Sequence, residues 1–306
     1  MILKGCIIKL YPLITAIPLE KEIKDFTMTM NLNNDVGAAS FTTDQSIHII
    51  GDLPEDLYPF AYRGKSKGIC KWHGNILHKN IIETKGDQNS VDGVTFDHVD
   101  IRFILITKTL LREYIKEQCG NDDIDLANRM FFIEDKDVNV FLDLHTRIFK
   151  NEIVSKDELS SLLLRILQNP VKETSTPEKS HILVQKAIDL MRLNIKSPLL
   201  ISTLSEMLEV NIRTLELAFK KEFNISPKRY YKRLLLHSVE EELRKRKQED
   251  ATVTSILAEY QIHGLSEFGL SFKNYFNKTP SQIGMLAEHE NPFGWDEAIF
   301  SEFTDD

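Results

Sequence analysis

The chain has 306 residues, 42% hydrophobic and 27% charged, enough for about two domains with a core each. No apolar run reaches the ~18 residues of a membrane span, and Lys4 and Lys9 interrupt Met1 to Leu10, so neither a transmembrane helix nor a signal peptide is expected. A net charge of −8 argues against a uniformly basic nucleic-acid binder, and three unpatterned cysteines, Cys6, Cys70 and Cys119, fit a reduced, cytoplasmic protein rather than a disulfide framework.

From the N-terminus to about residue 107 the pattern is that of strands. Gly37 to Phe41, Ser46 to Ile50, Gly68 to Trp72, Ile76 to Glu83 and Val99 to Thr107 are β-rich runs parted by Gly, Asp, Asn and Pro turns. Leu57 to Arg63 is rich in aromatics with one cation. Tyr58, Phe60, Tyr62 and Arg63, with Trp72 nearby, are candidate ligand-binding residues suited to an anionic or aromatic small molecule; the plainer reading is that the rings pack a core. His73, His78 and His98 fall in the same region. No His-x-His pair occurs, and His73 and His78 would point to opposite faces of one strand, so no metal is expected. No Ser/His/Asp arrangement and no glycine-rich phosphate loop stands out, so the chain does not read as an enzyme and no cofactor is expected.

From Lys108 the period turns helical. Leu110, Leu111, Tyr114 and Ile115 begin it, Val138, Phe141, Leu144 and Ile148 continue it, and Leu159, Leu162, Leu163, Ile166 and Leu167 end it. Residues 1–168 therefore read as one domain of strands followed by helices. Asn169 to Pro177 is polar with two prolines and reads as a linker. A helix from Glu178 to about Leu193, with Ile182, Ala187, Leu190 and Leu193 inward, opens a second, all-α domain over 178–287. The fold class is α+β, and 288–306 is left as an acidic tail.

Within the second domain a nine-residue phrase occurs twice. Phe219 to Pro227 and Phe272 to Pro280 both read F-K-x-x-F-N-x-[S/T]-P, 53 residues apart. In the first copy Leu215, Phe219 and Phe223 share one helical face. Asn224 suits the left-handed turn that ends a helix, and Ser226-Pro227 suits the start of the next. Phe268, Phe272, Phe276, Asn277 and Thr279-Pro280 repeat the arrangement. A short helix precedes each long one, Ser202 to Leu208 and Thr252 to Tyr260, which makes two helix-turn-helix units.

From about Ser197 to Ile283 the chain resembles the DNA-binding domain of the AraC/XylS family of bacterial transcription regulators. Leu204 to Leu215, Ala218 to Phe223 and Ile225 to Tyr230 carry the first half of the resemblance. Ile256, Ser266, Phe268, Phe272-Lys273, Phe276 and Thr279-Pro280 carry the second. There are departures. Asn224 and Asn277 stand where the family usually has Gly, Leu257 and Gln261 where it usually has Ala and Gly, and Leu217 and Leu270 where it usually has Arg. The resemblance implies that one recognition helix presents Ile212, Arg213, Glu216 and Leu217 to base edges, and the other Leu265, Ser266, Gly269 and Leu270. Arg213 is the candidate for a guanine; the second helix has a poor hydrogen-bonding surface and is expected to contribute mainly phosphate contacts. Lys220, Lys221, Lys228, Arg229, Lys273 and Asn274 are the expected phosphate contacts. For the first domain the resemblance implies a cupin-like barrel that senses a small molecule, with a helical dimerisation element. A homodimer that engages RNA polymerase and activates transcription is expected on the same ground. The alternatives are an AraC-like regulator controlled by a partner protein without a small ligand, and a barrel metalloenzyme with a nucleic-acid-binding module.

Charge is unevenly spread. Residues 178–284 hold 17 Lys+Arg against 13 Asp+Glu, a net +4, whereas 1–177 are net −5 and 285–306 net −7. Lys220, Lys221, Lys228, Arg229, Lys232 and Arg233 cluster around the first unit, where salt-sensitive phosphate anchoring is expected. Arg244 to Lys247 read as a helix end whose cations suit the helix dipole. The tail sets Glu288, Glu290, Asp296, Glu297, Glu302, Asp305 and Asp306 among Phe293, Trp295, Phe300 and Phe303. Two readings stand for it: a segment that docks on this protein and modulates DNA binding, and a solvated end.

Overall fold

The computed structural model describes residues 2–5, 9–11, 14–20, 26–33, 35–53, 55–64, 69–85, 90–120, 130–171, 178–246 and 252–286. The chain divides into two compact units, the first formed within 1–16 and 24–176, the second within 17–23 and 177–305.

The first unit holds two sheets. The seven-stranded sheet runs in the order β1 (Ile2–Gly5), β4 (Phe26–Asn33), β5 (Val36–Thr43), β12 (Val99–Thr107), β7 (Leu57–Arg63), β10 (Ile81–Glu83) and β13 (Met130–Phe132). The six-stranded sheet runs β2 (Lys9–Tyr11), β3 (Ile14–Pro18), β6 (Ile47–Asp52), β11 (Ser90–Thr95), β8 (Cys70–Trp72) and β9 (Asn75–Ile76). Three helices follow: α1 (Lys108–Cys119), α2 (Asp135–Phe149) and α3 (Lys156–Leu167). Their starts are set by local chemistry. The Thr107 hydroxyl accepts from the Leu110 amide at α1, and Ser155 with Glu158 forms a reciprocal capping box at α3.

Helices and sheet are joined by one apolar core. Phe60 of β7, Ile104 and Ile106 of β12 and Ile82 of β10 meet Leu111 and Ile115 of α1, Phe141 and Leu144 of α2, and Leu162, Leu163 and Ile166 of α3. The helical residues expected to point inward do so. α2 is also tied by hydrogen bonding, because the buried His145 Nε2 lies 3.0 Å from the Ala39 carbonyl on β5. Burial lowers the His145 pKa, so at neutral pH the ring is uncharged and able to donate that bond.

Three sequence expectations change here. Leu57 to Arg63 is a central strand, with β12 on one side and β10 on the other. Tyr58 and Phe60 are fully buried in the core under the helices, and the Tyr62 ring packs at 5.9 Å from Phe141. These three rings are packing residues. His73 and His78 do not share a strand: His73 sits in a tight turn with φ of 46° and His78 follows β9. Among the described residues no group of His, Cys, Asp and Glu is placed to hold a metal. The first residues of the expected linker make an isolated antiparallel bridge to β13, in which the Asn169 carbonyl accepts from the Phe132 amide and the Val171 amide donates to the Met130 carbonyl, while 172–177 lie outside the described residues.

The second unit is helical: α4 (Lys179–Leu193), α5 (Ile201–Met207), α6 (Ile212–Phe223), α7 (Pro227–Lys245), α8 (Val253–Glu259), α9 (Leu265–Phe276) and α10 (Pro280–Leu286). α4 buries only part of the face expected of it: Ala187 is buried and Leu190 half-buried. His181, Val184, Ala187, Ile188 and Met191 are inward, whereas Ile182 and Leu193 are exposed. Among the described residues no helix is long and apolar enough to cross a membrane.

Phe141 is fully buried at the junction of helices and sheet, so Phe141→Ala should cost ~3–5 kcal/mol of unfolding free energy in denaturant titrations. Ile153→Ala, at an exposed position, should stay within about 0.5 kcal/mol of the parent.

Candidate nucleic-acid interface

α5 and α6 form one helix-turn-helix, α8 and α9 the other. The equivalent residues of α6 and α9 are 53 apart, but those of α5 and α8 are 52 apart, so the second turn is one residue longer. Each turn needs one left-handed residue. Glu209 (φ 55°) supplies it in the first and Gln261 (φ 54°) in the second.

Aromatic packing sets the rotation of both long helices. On α6, Phe219 and Phe223 are buried, and the Phe223 ring stacks on Tyr230 of α7 at 4.9 Å. On α9, Phe268, Phe272 and Phe276 form a continuous ladder, with the Phe272 and Phe276 centroids 4.3 Å apart. α9 reaches α7 through Tyr275, whose hydroxyl lies 3.0 Å from His237 Nε2. His237 is buried, and desolvation with the nearby Arg233 charge pushes its pKa down to about 3, so the imidazole is neutral. The tie from α6 to α4 is also polar. The Ser180 hydroxyl donates to buried Glu222 at 3.2 Å, and His181 Nδ1 lies 3.7 Å from the same carboxylate. Sequence reading found neither His237–Tyr275 nor His181–Glu222, since each pair is 38 or more residues apart and no local pattern marks it.

With the aromatic faces turned in, the opposite faces are open. Ile212, Arg213, Glu216 and Leu217 on α6 are all exposed, as are Leu265, Ser266 and Leu270 on α9. Gly269 is half-buried, and nothing lies within 4 Å of where a Cβ would stand. The helix starts differ. The Asn211 side chain accepts from the Thr214 amide at 2.8 Å and caps α6, whereas Gly264 gives α9 no side-chain cap. Both helices end alike, with Asn224 (φ 57°) and Asn277 (φ 56°) left-handed as expected.

The basic cluster separates into two groups. Lys220, Lys228, Arg229 and Lys273 are exposed, and among the described residues they and Arg213 form no ion pair. Asn274 is exposed beside Lys273. Lys221, although exposed, is paired with Glu178. Lys232 donates to the Ser271 hydroxyl at 2.9 Å. Arg233 departs from the solvated cluster expected of it: it is 5% exposed, with its guanidinium 6.0 Å from the Tyr275 ring centroid. Arg244, Lys245 and Arg246 pair with Glu240, Glu241 and Glu242 one turn earlier, and Arg246 also with Glu259. They close the end of α7, as the sequence suggested; Lys247 and the tail 288–306 lie outside the described residues.

Of the expected ligand residues outside the core, the Trp72 indole donates to the Thr84 carbonyl at 3.1 Å. Arg63 Nη2 donates to the Leu77 carbonyl at 3.2 Å, while its buried Nη1 has no hydrogen-bond partner among the described residues. Beside Arg63, burial pushes Glu83 up to about 8.

The family model described as "Helix-turn-helix domain" matches residues 204–284, roughly a quarter of the chain. No curated protein matches. Among solved structures, a transcriptional regulator with an AraC-type DNA-binding domain from Chromobacterium violaceum is 24% identical, with 37% of this chain and 97% of that one covered and a TM-score of 0.34. The AraC-like transcriptional activator CuxR is 12% identical over 75% of this chain and 88% of its own, with a TM-score of 0.38. ToxT from Vibrio cholerae strain SCE256, solved with an unsaturated fatty acid bound, is 12% identical over 88% of this chain and 100% of its own, with a TM-score of 0.36.

Two outcomes test the architecture of the second unit. Asn224→Ala should cost ~1–2 kcal/mol, because a Cβ-bearing residue without a short polar side chain resists the left-handed region, and Asn224→Gly should cost far less; urea unfolding measures both. His237 titrates near 6.5 in the unfolded chain and near 3 in the folded one. The unfolded state therefore takes up the proton first, and stability drains as pH falls through that window. His237→Gln keeps a partner for Tyr275 without the titration, so its unfolding free energy should fall less steeply than the parent's between about pH 7 and about pH 4.

Proposed function

We infer, from the premise that this chain belongs to the AraC-type helix-turn-helix transcription regulators, that it controls transcription by placing α6 and α9 in successive major-groove segments of double-stranded DNA. The observation that carries this reading is the matched exposure of two helices. Each turns its phenylalanines inward and leaves the opposite face bare beside a lysine, Lys220 or Lys273, that forms no ion pair among the described residues.

Arg213 is the residue we assign to a guanine, since an arginine fork fits O6 and N7 together. Glu216 suits a cytosine amino group, and Ile212, Leu217, Leu265 and Leu270 offer apolar contact; Ser266 offers one hydroxyl, and Gly269 lets the backbone approach. Lys220, Lys228, Arg229, Lys273 and Asn274 are assigned to phosphates. Lys221 joins them only by exchanging Glu178 for a phosphate. The start of α9, without a side-chain cap, presents backbone N–H groups suited to a phosphate oxygen.

For the first unit we propose sensing and dimerisation, with activation through RNA polymerase as the output. With Tyr58, Phe60 and Tyr62 assigned to packing, the candidates for an effector are Arg63, through the Nη1 that has no partner among the described residues, and the ring of Trp72, whose N–H is held by Thr84. A neutral Glu83 beside the Arg63 guanidinium favours a small anion over a cation. An effector shifts the regulator only by binding its DNA-competent arrangement better than the other.

Selection from random duplexes at fixed salt tests the reading. The parent should yield a compact motif, and Arg213→Ala should relax one position at a cost of ~1–3 kcal/mol. Lys220→Ala and Lys273→Ala should each reduce the slope of log affinity against log salt by about 0.9 without changing the motif. Uniform, salt-driven binding by parent and Arg213→Ala alike would overturn sequence-specific regulation.

A further inference from the structure

Both recognition helices carry a leucine at the centre of the face they leave open, and both present it to the same degree. Leu217 is 60% exposed and Leu270 61%; each is the sixth residue of a twelve-residue helix. The first residue of each helix is also apolar, Ile212 at 43% exposed and Leu265 at 44%. The fold does not ask for these side chains, since the opposite, phenylalanine-bearing face supplies the core. Chance exposure of one leucine is ordinary. Four apolar groups at matched positions of two units form a pattern.

Charge says what meets that face. Lys220 and Lys273 hold the matched ninth positions of the two helices, and Lys228 and Arg229 follow on α7. All four are exposed and, among the described residues, outside any ion pair. A leucine followed one turn later by an exposed lysine, on both helices, suits a polyanion with apolar spots better than it suits an apolar protein surface. In the major groove the one apolar group a base pair offers is the C5 methyl of thymine. α9 adds only Ser266 as a hydrogen-bonding side chain among its base-facing residues, and at Gly269 no side chain keeps the backbone from the groove floor.

We propose that Leu217 and Leu270 read thymine methyl groups. The operator then carries a thymine at the same place in two segments about one helical turn, 10–10.5 base pairs, apart. The second segment is rich in A·T pairs, and a required guanine is confined to the first, opposite Arg213. This rests on the reading above that α6 and α9 enter the groove.

Deoxyuridine, which is thymidine without the methyl, tests it. The full chain is used to select a binding site from random duplexes at fixed salt, and each thymine of that site is then replaced singly by deoxyuridine. Two replacements, one per segment, should each weaken the parent about fourfold, the worth of one buried methyl. Leu217→Ala should lose sensitivity to the first and keep it to the second; Leu270→Ala should do the reverse. Both leucines are exposed, so both variants should fold, which circular dichroism checks. A compact motif that tolerates uracil at every position, or variants as sensitive as the parent, would overturn the proposal and leave sequence-specific binding intact. Absence of any motif would overturn the groove reading itself, and this proposal with it.

Discussion

The second unit depends on one constraint: aromatic rings placed four residues apart must leave water. Phe219 and Phe223 on α6, and Phe268, Phe272 and Phe276 on α9, form stripes one side chain wide. Burying a stripe fixes the rotation of a helix about its axis, since turning it would expose rings worth ~1.5–3 kcal/mol each. Once rotation is fixed, the face carrying Arg213 and Leu217, or Ser266 and Leu270, can only point away. α7 receives both stripes, through Tyr230 for α6 and through His237 with Tyr275 for α9. One helix thereby orients two others, and its His237 and Lys232 add hydrogen bonds to α9.

Electrostatics is arranged around the same helix. The chain is net acidic, yet its cations are not equivalent. Those at the end of α7 are matched one turn back by Glu240, Glu241 and Glu242, an i,i+4 arrangement that neutralises them locally. Around α6 and at the end of α9, Lys220, Lys228, Arg229 and Lys273 form no ion pair among the described residues, whereas Lys221 has Glu178. A composition average of −8 hides this division, because a carboxylate cancels a cation's field only within about a Debye length. Exposed surface pairs contribute little to stability; their consequence here is to leave the unmatched lysines as the local source of positive potential.

How far the sequence could be read varied with how local the signal was. The Asn-x-[Ser/Thr]-Pro breaks gave the helix ends of the second unit, and Asn224 and Asn277 are left-handed as their chemistry required. The inward residues of α1, α2 and α3 were equally legible. In α4 the inward face was only partly legible: Ala187 is buried as expected, but Ile182 and Leu193 fit one helical stripe while His181 and Val184 fit another, and Ser180 and His181 have Glu222 as partner on α6. The aromatic strand Leu57–Arg63 looked like a pocket wall for the same reason. Alternating rings suit a ligand or a core equally well, and only the three helices packed on that sheet decide between them.

By itself the sequence determined what repeats and what breaks: two units 53 residues apart, the caps between their helices, and a helical run after a β-rich one. These follow from backbone sterics and side-chain period, which act over a few residues. Tertiary structure alone decided which cations stay unmatched, which rings are core, that Arg233 is buried, and that leucines 217 and 270 stand equally far into solvent. Each of those depends on groups distant in sequence competing for the same interior, and burial is a property of the packed whole.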